Sequence, residues 1–168
     1  RLPANRGLGA ALRAGAPATS GDIIVTYDAD RAYPVEDIPR LIAPIEAGVA
    51  DVVTASPWHP EGAAVGLPRH REFLSRALSR AYRWRCGRRV QAIHTFSCGF
   101  RALRREVFLA VLPRRNGFVA TTEILLNAMR QDARIQEVPS RLRQRTEGRS
   151  KLRPVRVLLA HLPLWIRG

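Results

Sequence analysis

Short β-branched runs alternate with longer stretches of helical periodicity along this chain. Residues 22–26 and 51–55 are compact apolar segments of the kind that become buried strands, and each runs directly into a turn-rich stretch. Residues 133–139 predict a further strand, and so do residues 93–100. Between them lie the helices. Residues 5–14 carry alanine and leucine at helical density. Pro34 opens a helix that reaches about Gly48, with Glu36 and Asp37 where the dipole favours anions. Leu74, Ala77, Leu78, Ala81 and Tyr82 fall at i, i+3, i+4, i+7 and i+8, which makes one apolar stripe, and Arg76, Arg80 and Arg83 lie opposite it. Residues 104–112 and 122–131 predict two more helices. The Pro/Gly-rich stretch 56–68 reads as a loop, and the basic, aperiodic stretch 140–153 as a mobile one. Strands alternating with helices predict a layered α/β domain with a largely parallel sheet.

Composition changes this picture mainly through charge. Lys+Arg number 28 against 14 Asp+Glu, a net charge of +14, and Lys151 is the only lysine. Such a chain expects anionic company: nucleic acid, phosphorylated ligands or an anionic membrane surface. Guanidinium groups grip phosphate at two points. Two cysteines, Cys86 and Cys98, exclude a disulfide framework and a CxxC zinc site, which fits a reducing cytoplasm. No apolar run reaches the roughly 20 residues that span a bilayer. The chain opens without an initiator methionine and mid-pattern, so a preceding N-terminal portion is expected.

Asp28-Ala29-Asp30 is the strongest chemical signal. In an extended segment, alternate residues point the same way, so the two carboxylates can share a cation. They leave the carboxyl end of a strand, where open α/β sheets bind ligands. Mg²⁺ or Mn²⁺ prefers such oxygens and bridges to substrate phosphates. A solvated turn capping the next helix would use the same residues, and a lone DxD does not decide between the two.

Context does. NRGLGAAL at residues 5–12, DIIVTYDAD at 22–30 and ADVVTASPWHPEG at 50–62 are followed by PRHREFLSR at 68–76 and FSCGFRALRREV at 96–107. GFVATTEIL at 117–125, IQEVP at 135–139 and RTEGRSKL at 145–152 complete the series. In this order the eight blocks resemble the family 2 glycosyltransferases, nearest the dolichyl- and polyprenyl-phosphate mannose or glucose synthases and their bacterial relatives. The resemblance implies a GT-A type nucleotide-sugar-binding domain over residues 1–153, lacking its N-terminal strand region, followed by an apolar helix over 154–168. It implies inverting transfer of a sugar from a UDP- or GDP-linked donor to a lipid phosphate, at the cytoplasmic face of a membrane. Asp28 and Asp30 match the metal pair, with Asp30 the direct ligand on the donor diphosphate. Arg145, Ser150 and Lys151 match a basic loop over the donor phosphates. Arg71 and Ser75, one helical turn apart, match positions that hold the lipid phosphate; a solvated helix edge is the other reading. Glu123 matches the acidic residue near the acceptor, a general base for a hydroxyl, or else a helix-end carboxylate complementing the dipole.

Two departures stand out. The synthases usually carry Gly-Ser-Arg after the second strand, whereas this chain has Ala55-Ser56-Pro57 and so lacks that arginine; either His59 compensates or the acceptor differs. Ala32 replaces a glutamine common after the acidic pair. The histidines, His59, His70, His94 and His161, show no ligand spacing and read as structural or surface residues, and only His59 merits a test. Residues 154–167 reach about 20 Å as a helix, short of a roughly 30 Å hydrocarbon core. Trp165 and flanking arginines suit a membrane interface, and a core helix is the alternative. Against the enzyme stands a non-catalytic basic module binding nucleic acid or anionic membrane. No nucleic-acid motif supports it.

Overall fold

The computed structural model describes residues 4–90, 92–144 and 154–167. Helix α1 (Leu8–Gly15) leads into strand β1 (Ile23–Thr26). A turn over Val35–Asp37 then opens α2 (Ile38–Glu46), followed by β2 (Val52–Ser56), a short β3 (Ala63–Val65) and the long α3 (Arg69–Cys86). Next come β4 (Arg101–Arg104), α4 (Arg105–Ala110), α5 (Val119–Arg130), β5 (Ile135–Pro139), β6 (Arg141–Arg143) and α6 (Pro154–Arg167).

The main sheet has the order β1-β4-β2-β5. β4 runs antiparallel to both its neighbours, and β2 pairs with β5 in parallel. β1, β2 and β5 therefore share one direction and β4 alone is reversed, which makes the sheet a mixed one. Side chains alternate across the sheet. Ile24, Val52 and Leu103 face a core built with Phe108, Ile124 and Leu125. Val53, Ala55 and Ala102 face a second core with Leu41 and Ile45 of α2 and with Tyr33 and Phe100. A sheet apolar on both faces needs helices on both, and the sequence supplies them.

Three expectations change. Residues 93–100 form no strand, because the backbone N–H groups of His94 and Thr95 donate to the Glu137 carboxylate instead of a neighbouring strand. Regular pairing begins only at Arg101. The loop expected at 56–68 contains β3, and the mobile stretch expected at 140–153 begins with β6; these two pair in parallel, Ala63 opposite Arg141. Three-residue strands carry no periodicity to read. The third concerns the stripe on α3. Tyr82 is buried but Ala77 is exposed, and α6 packs against this helix.

The two glycines of the 5–12 block have a packing reason. Gly9 donates its N–H to the carbonyl of Asn116 at 2.9 Å, and a Cβ there would fall 1.8 Å from the Arg115 carbonyl oxygen. Gly7 stands at φ 90° against the Asn116 carbonyl. Arg13 donates to the carbonyl of Pro113 from the same helix. This block fastens α1 to the 113–116 loop.

Candidate active site

Because β1, β2 and β5 run together and β4 runs against them, four connections emerge at one edge of the sheet. They are the segments after Thr26, Ser56 and Pro139 and the segment entering Arg101, whose register partners are Thr26 and Thr54. This carboxyl edge is where open α/β sheets accept ligands.

At the first connection, Thr26 donates from Oγ1 to the Gly99 carbonyl at 2.5 Å, and the Tyr27 hydroxyl donates to the Tyr33 carbonyl at 2.6 Å. Asp28 is exposed and Asp30 half-buried. The segment is a turn rather than an extended strand: Arg31 donates its N–H to the Asp28 carbonyl and takes φ 53°. The shared direction of the two carboxylates, expected from extended backbone, is therefore replaced by turn geometry. Asp30 accepts the Ala32 N–H through one oxygen at 3.1 Å, and Asp28 lies against Gly99, whose added Cβ would meet a carboxylate oxygen at 3.2 Å. No cluster of three or more metal-binding side chains exists among the described residues. Two hard carboxylates on an open turn still fit a Mg²⁺ or Mn²⁺ ion that takes its other ligands from substrate phosphates and water.

The acceptor-side expectations meet at the second connection. Ser75 on α3 accepts the Trp58 indole N–H at 3.0 Å, and the Arg76 guanidinium stacks on the Trp58 ring at 4.3 Å. Arg71, one turn before Ser75, holds a buried Nε without a hydrogen-bond partner. Such an atom is costly unless something accepts from it. Glu123 lies in α5, beyond its first turn, and is buried. Its carboxylate accepts the Arg115 backbone N–H at 2.9 Å, so it ties the 113–116 loop rather than serving the helix dipole. Arg145, Ser150 and Lys151 lie outside the described residues.

A cluster the sequence did not reveal adjoins Trp58. Glu137 on β5 has a side chain only 1% exposed, and its carboxylate accepts three N–H groups: His94 N, Thr95 N and His94 Nδ1, the last at 2.7 Å. The Ser56 hydroxyl bonds Thr95 Oγ1 at 2.6 Å and accepts the N–H groups of Trp58 and His59. The His59 and His94 rings stand 5.9 Å apart, edge to face. The only sequence signal was the inward position of Glu137 in its strand. His161, by contrast, is a buried core histidine bonded to the Tyr82 hydroxyl at 3.0 Å, and burial pushes its pKa down to about 4.

Arg101 joins the connections from below. It is buried and donates to Thr54 Oγ1 and to the carbonyls of Phe96 and Thr121; burial lowers its pKa to about 10, so it stays charged. Burial raises the pKa of the Cys98 thiol, which leaves it a poor nucleophile.

Comparison with known proteins places this geometry. A sequence model described as Glycosyl transferase family 2 matches residues 1–112. The chain is 32% identical over 153 residues to a dolichol-phosphate mannosyltransferase of Pyrococcus furiosus, covering 91% of this chain and 42% of that protein. It is 30% identical to a polyprenol monophosphomannose synthase of Mycolicibacterium smegmatis, covering 87% of this chain and 56% of that protein. Among solved structures, glucosyl-3-phosphoglycerate synthase of Mycobacterium tuberculosis, in complex with Mn²⁺ and UDP-glucose, superposes with a TM-score of 0.68 at 26% identity. That superposition covers 98% of this chain and 56% of the other. The chain thus spans about half the length of the relatives it matches.

Proposed function

The chain belongs to glycosyl transferase family 2, and from that premise we propose that it transfers a sugar from a nucleotide diphosphate donor to a polyprenyl-type phosphate, with inversion. The observation that carries the reading is the convergence at one sheet edge. The carboxylates of Asp28 and Asp30 stand at one end, and Ser75, Arg71 and Trp58 at the other. The lipid acceptor is supported by the names of the two synthases, and Mn²⁺ by the complex of the structural neighbour. The donor in this reading is UDP- or GDP-linked.

Held by Asp28 and Asp30, a divalent ion would supply positive charge to the leaving diphosphate. The chain's own residues bind and orient. The Ala32 N–H holds one Asp30 oxygen and so fixes that side chain on its turn. Arg71 offers its unpartnered Nε to an acceptor oxygen, and Ser75, fixed by the Trp58 indole, stands one turn away on the same helix. Arg145, Ser150 and Lys151 are assigned to the donor phosphates on sequence resemblance alone. Glu123, engaged by the Arg115 N–H, serves as an orienting group in this reading.

A membrane surface is the proposed setting, on its cytoplasmic side. No described helix is long and apolar enough to cross a bilayer. Phe73 and Trp84 on α3 and Leu159, Leu162 and Ile166 on α6 are exposed nonetheless, and Trp84 stacks on Trp165 between the two helices. An apolar face among arginines on a chain of charge +14 suits anionic lipid. The rival basic module is less supported, because many arginines work inside the fold: Arg13, Arg101, Arg104, Arg105 and Arg134 all donate to internal carbonyls or carboxylates.

The test is binding of UDP- and GDP-sugars with Mn²⁺ by the full gene product, wild type and Asp30→Ala. Metal-dependent binding and transfer to undecaprenyl monophosphate are expected, with transfer falling at least about 100-fold in Asp30→Ala while circular dichroism is unchanged. Normal transfer by that variant removes the metal role.

A further inference from the structure

Two half-exposed imidazoles are held in place by groups that are themselves buried. Glu137 secures the segment carrying His94 through two backbone N–H groups and then takes the ring Nδ1 as well. Ser56 and Thr95, buried and bonded to each other, fasten the His59 segment to the His94 segment. A buried polar network of this kind specifies one arrangement of whatever it supports. Here it supports His59 and His94, side by side at the carboxyl edge.

Their partners decide the tautomers. A carboxylate only accepts, so His94 Nδ1 carries the hydrogen and Nε2 presents a lone pair. His59 Nδ1 accepts the Glu61 backbone N–H at 3.1 Å, so its Nε2 carries the hydrogen and donates. The remaining nitrogen of His94 accepts and that of His59 donates, a pair complementary to an O–H group. The carboxylate behind His94 also fixes the orientation of that ring. Glu123, the other candidate base, is buried, and its carboxylate accepts the Arg115 N–H.

The position suits the reaction. His94 and Gly99 are five residues apart on one connection, at most about 17 Å even if fully extended. Gly99 lies beside Asp28, whose carboxylate a Cβ at Gly99 would meet at 3.2 Å, and so sits at the donor end. Trp58, adjacent to His59, is bonded to Ser75 at the acceptor end.

We propose that His94, oriented by Glu137, accepts the proton of the acceptor's attacking O–H, and that His59 donates a hydrogen bond to the same oxygen. The proposal rests on the glycosyltransferase reading above. In the step, the O–H bond breaks and its proton passes to His94 Nε2, giving an imidazolium held by Glu137. The freed oxygen bonds the anomeric carbon, and the bond from that carbon to the diphosphate oxygen breaks, its electron pair leaving with the nucleoside diphosphate. An alcohol and a singly protonated phosphate monoester both offer such an O–H. Undecaprenyl monophosphate and 3-phosphoglycerate, which attacks through its hydroxyl, are therefore assayed in parallel arms.

The deciding variant is His94→Asn, whose amide keeps a donor for Glu137 but presents no basic nitrogen outward. In the arm that shows wild-type transfer, kcat should fall about 100-fold or more with donor affinity unchanged. In His94→Ala, added imidazole should restore part of the lost rate, which a purely structural histidine would not allow. His59→Phe should raise the acceptor KM with a smaller effect on kcat. Transfer by His94→Asn within about threefold of wild type overturns the proposal and leaves the glycosyltransferase reading standing, as does a loss that imidazole does not relieve. Absence of nucleotide-sugar binding by the wild type overturns both.

Discussion

At the acidic end of the carboxyl edge, Asp28 and Asp30 stand two residues apart on a single open turn. At the histidine end the groups come from positions 56, 59, 94, 95 and 137, three separate stretches of chain joined through a buried carboxylate. The first can be built by a local segment, a single turn on which Asp28 is exposed and Asp30 half-buried. The second exists only once β2 and β5 are paired, because that pairing sets Ser56 opposite Pro139 and Glu137 opposite Thr54. The difference predicts different failures. Changes at the acidic end should remove chemistry and spare the fold, whereas changes beneath the histidine end should affect both.

The largest effect is expected where the two ends share a support. Arg101→Met leaves Thr54 Oγ1 and the Phe96 and Thr121 carbonyls without their buried donor. A loss of about 3–5 kcal/mol in urea unfolding should follow, and donor and acceptor binding should fall together. If stability holds, Arg101 does not join the two ends.

A smaller and more selective change is Gly99→Ala. Its methyl would meet an Asp28 oxygen at 3.2 Å, which that side chain can yield to by a few tenths of an ångström. Mn²⁺-dependent donor affinity should weaken by up to about tenfold (~1.4 kcal/mol), with unfolding nearly unchanged. Equal weakening of acceptor binding would show that the two ends are not separable.

The smallest effect on function is expected at the opposite edge. Asp51 accepts from Arg134 and Arg104 where β2 begins, and the Arg134 hydrogen bonds hold its pKa near 2, below the usual 3.8. A lowered carboxylate pKa stabilises the fold above about pH 4, and that contribution is lost as pH falls toward 2. Asp51→Asn should therefore melt a few degrees lower at neutral pH, and the gap to wild type should close between pH 4 and pH 2. Sugar-donor binding at neutral pH should be unaffected.

How much was legible follows the same division. The apolar runs at 22–26 and 51–55 became β1 and β2 almost residue for residue, since burial on both faces leaves a continuous signal. The α3 periodicity was visible, but not that α6 would cover part of it. The run at 93–100 looked like a strand because Phe96, Cys98 and Phe100 alternate inward. Its backbone donors were taken by Glu137, more than forty residues downstream, which no local pattern announces. The same distance hid the histidine pair, since His59 and His94 have no ligand spacing.

By itself, then, the sequence determined the alternation of strands and helices, the acidic pair at a strand end and the family, because each rests on neighbouring residues or on blocks in order. The tertiary structure alone decided the reversal of β4, the turn at Asp28–Asp30, the engagement of Glu123 by Arg115 and the tautomers of His59 and His94. Each of these depends on which buried donor meets which acceptor, and only the packed chain brings such partners together.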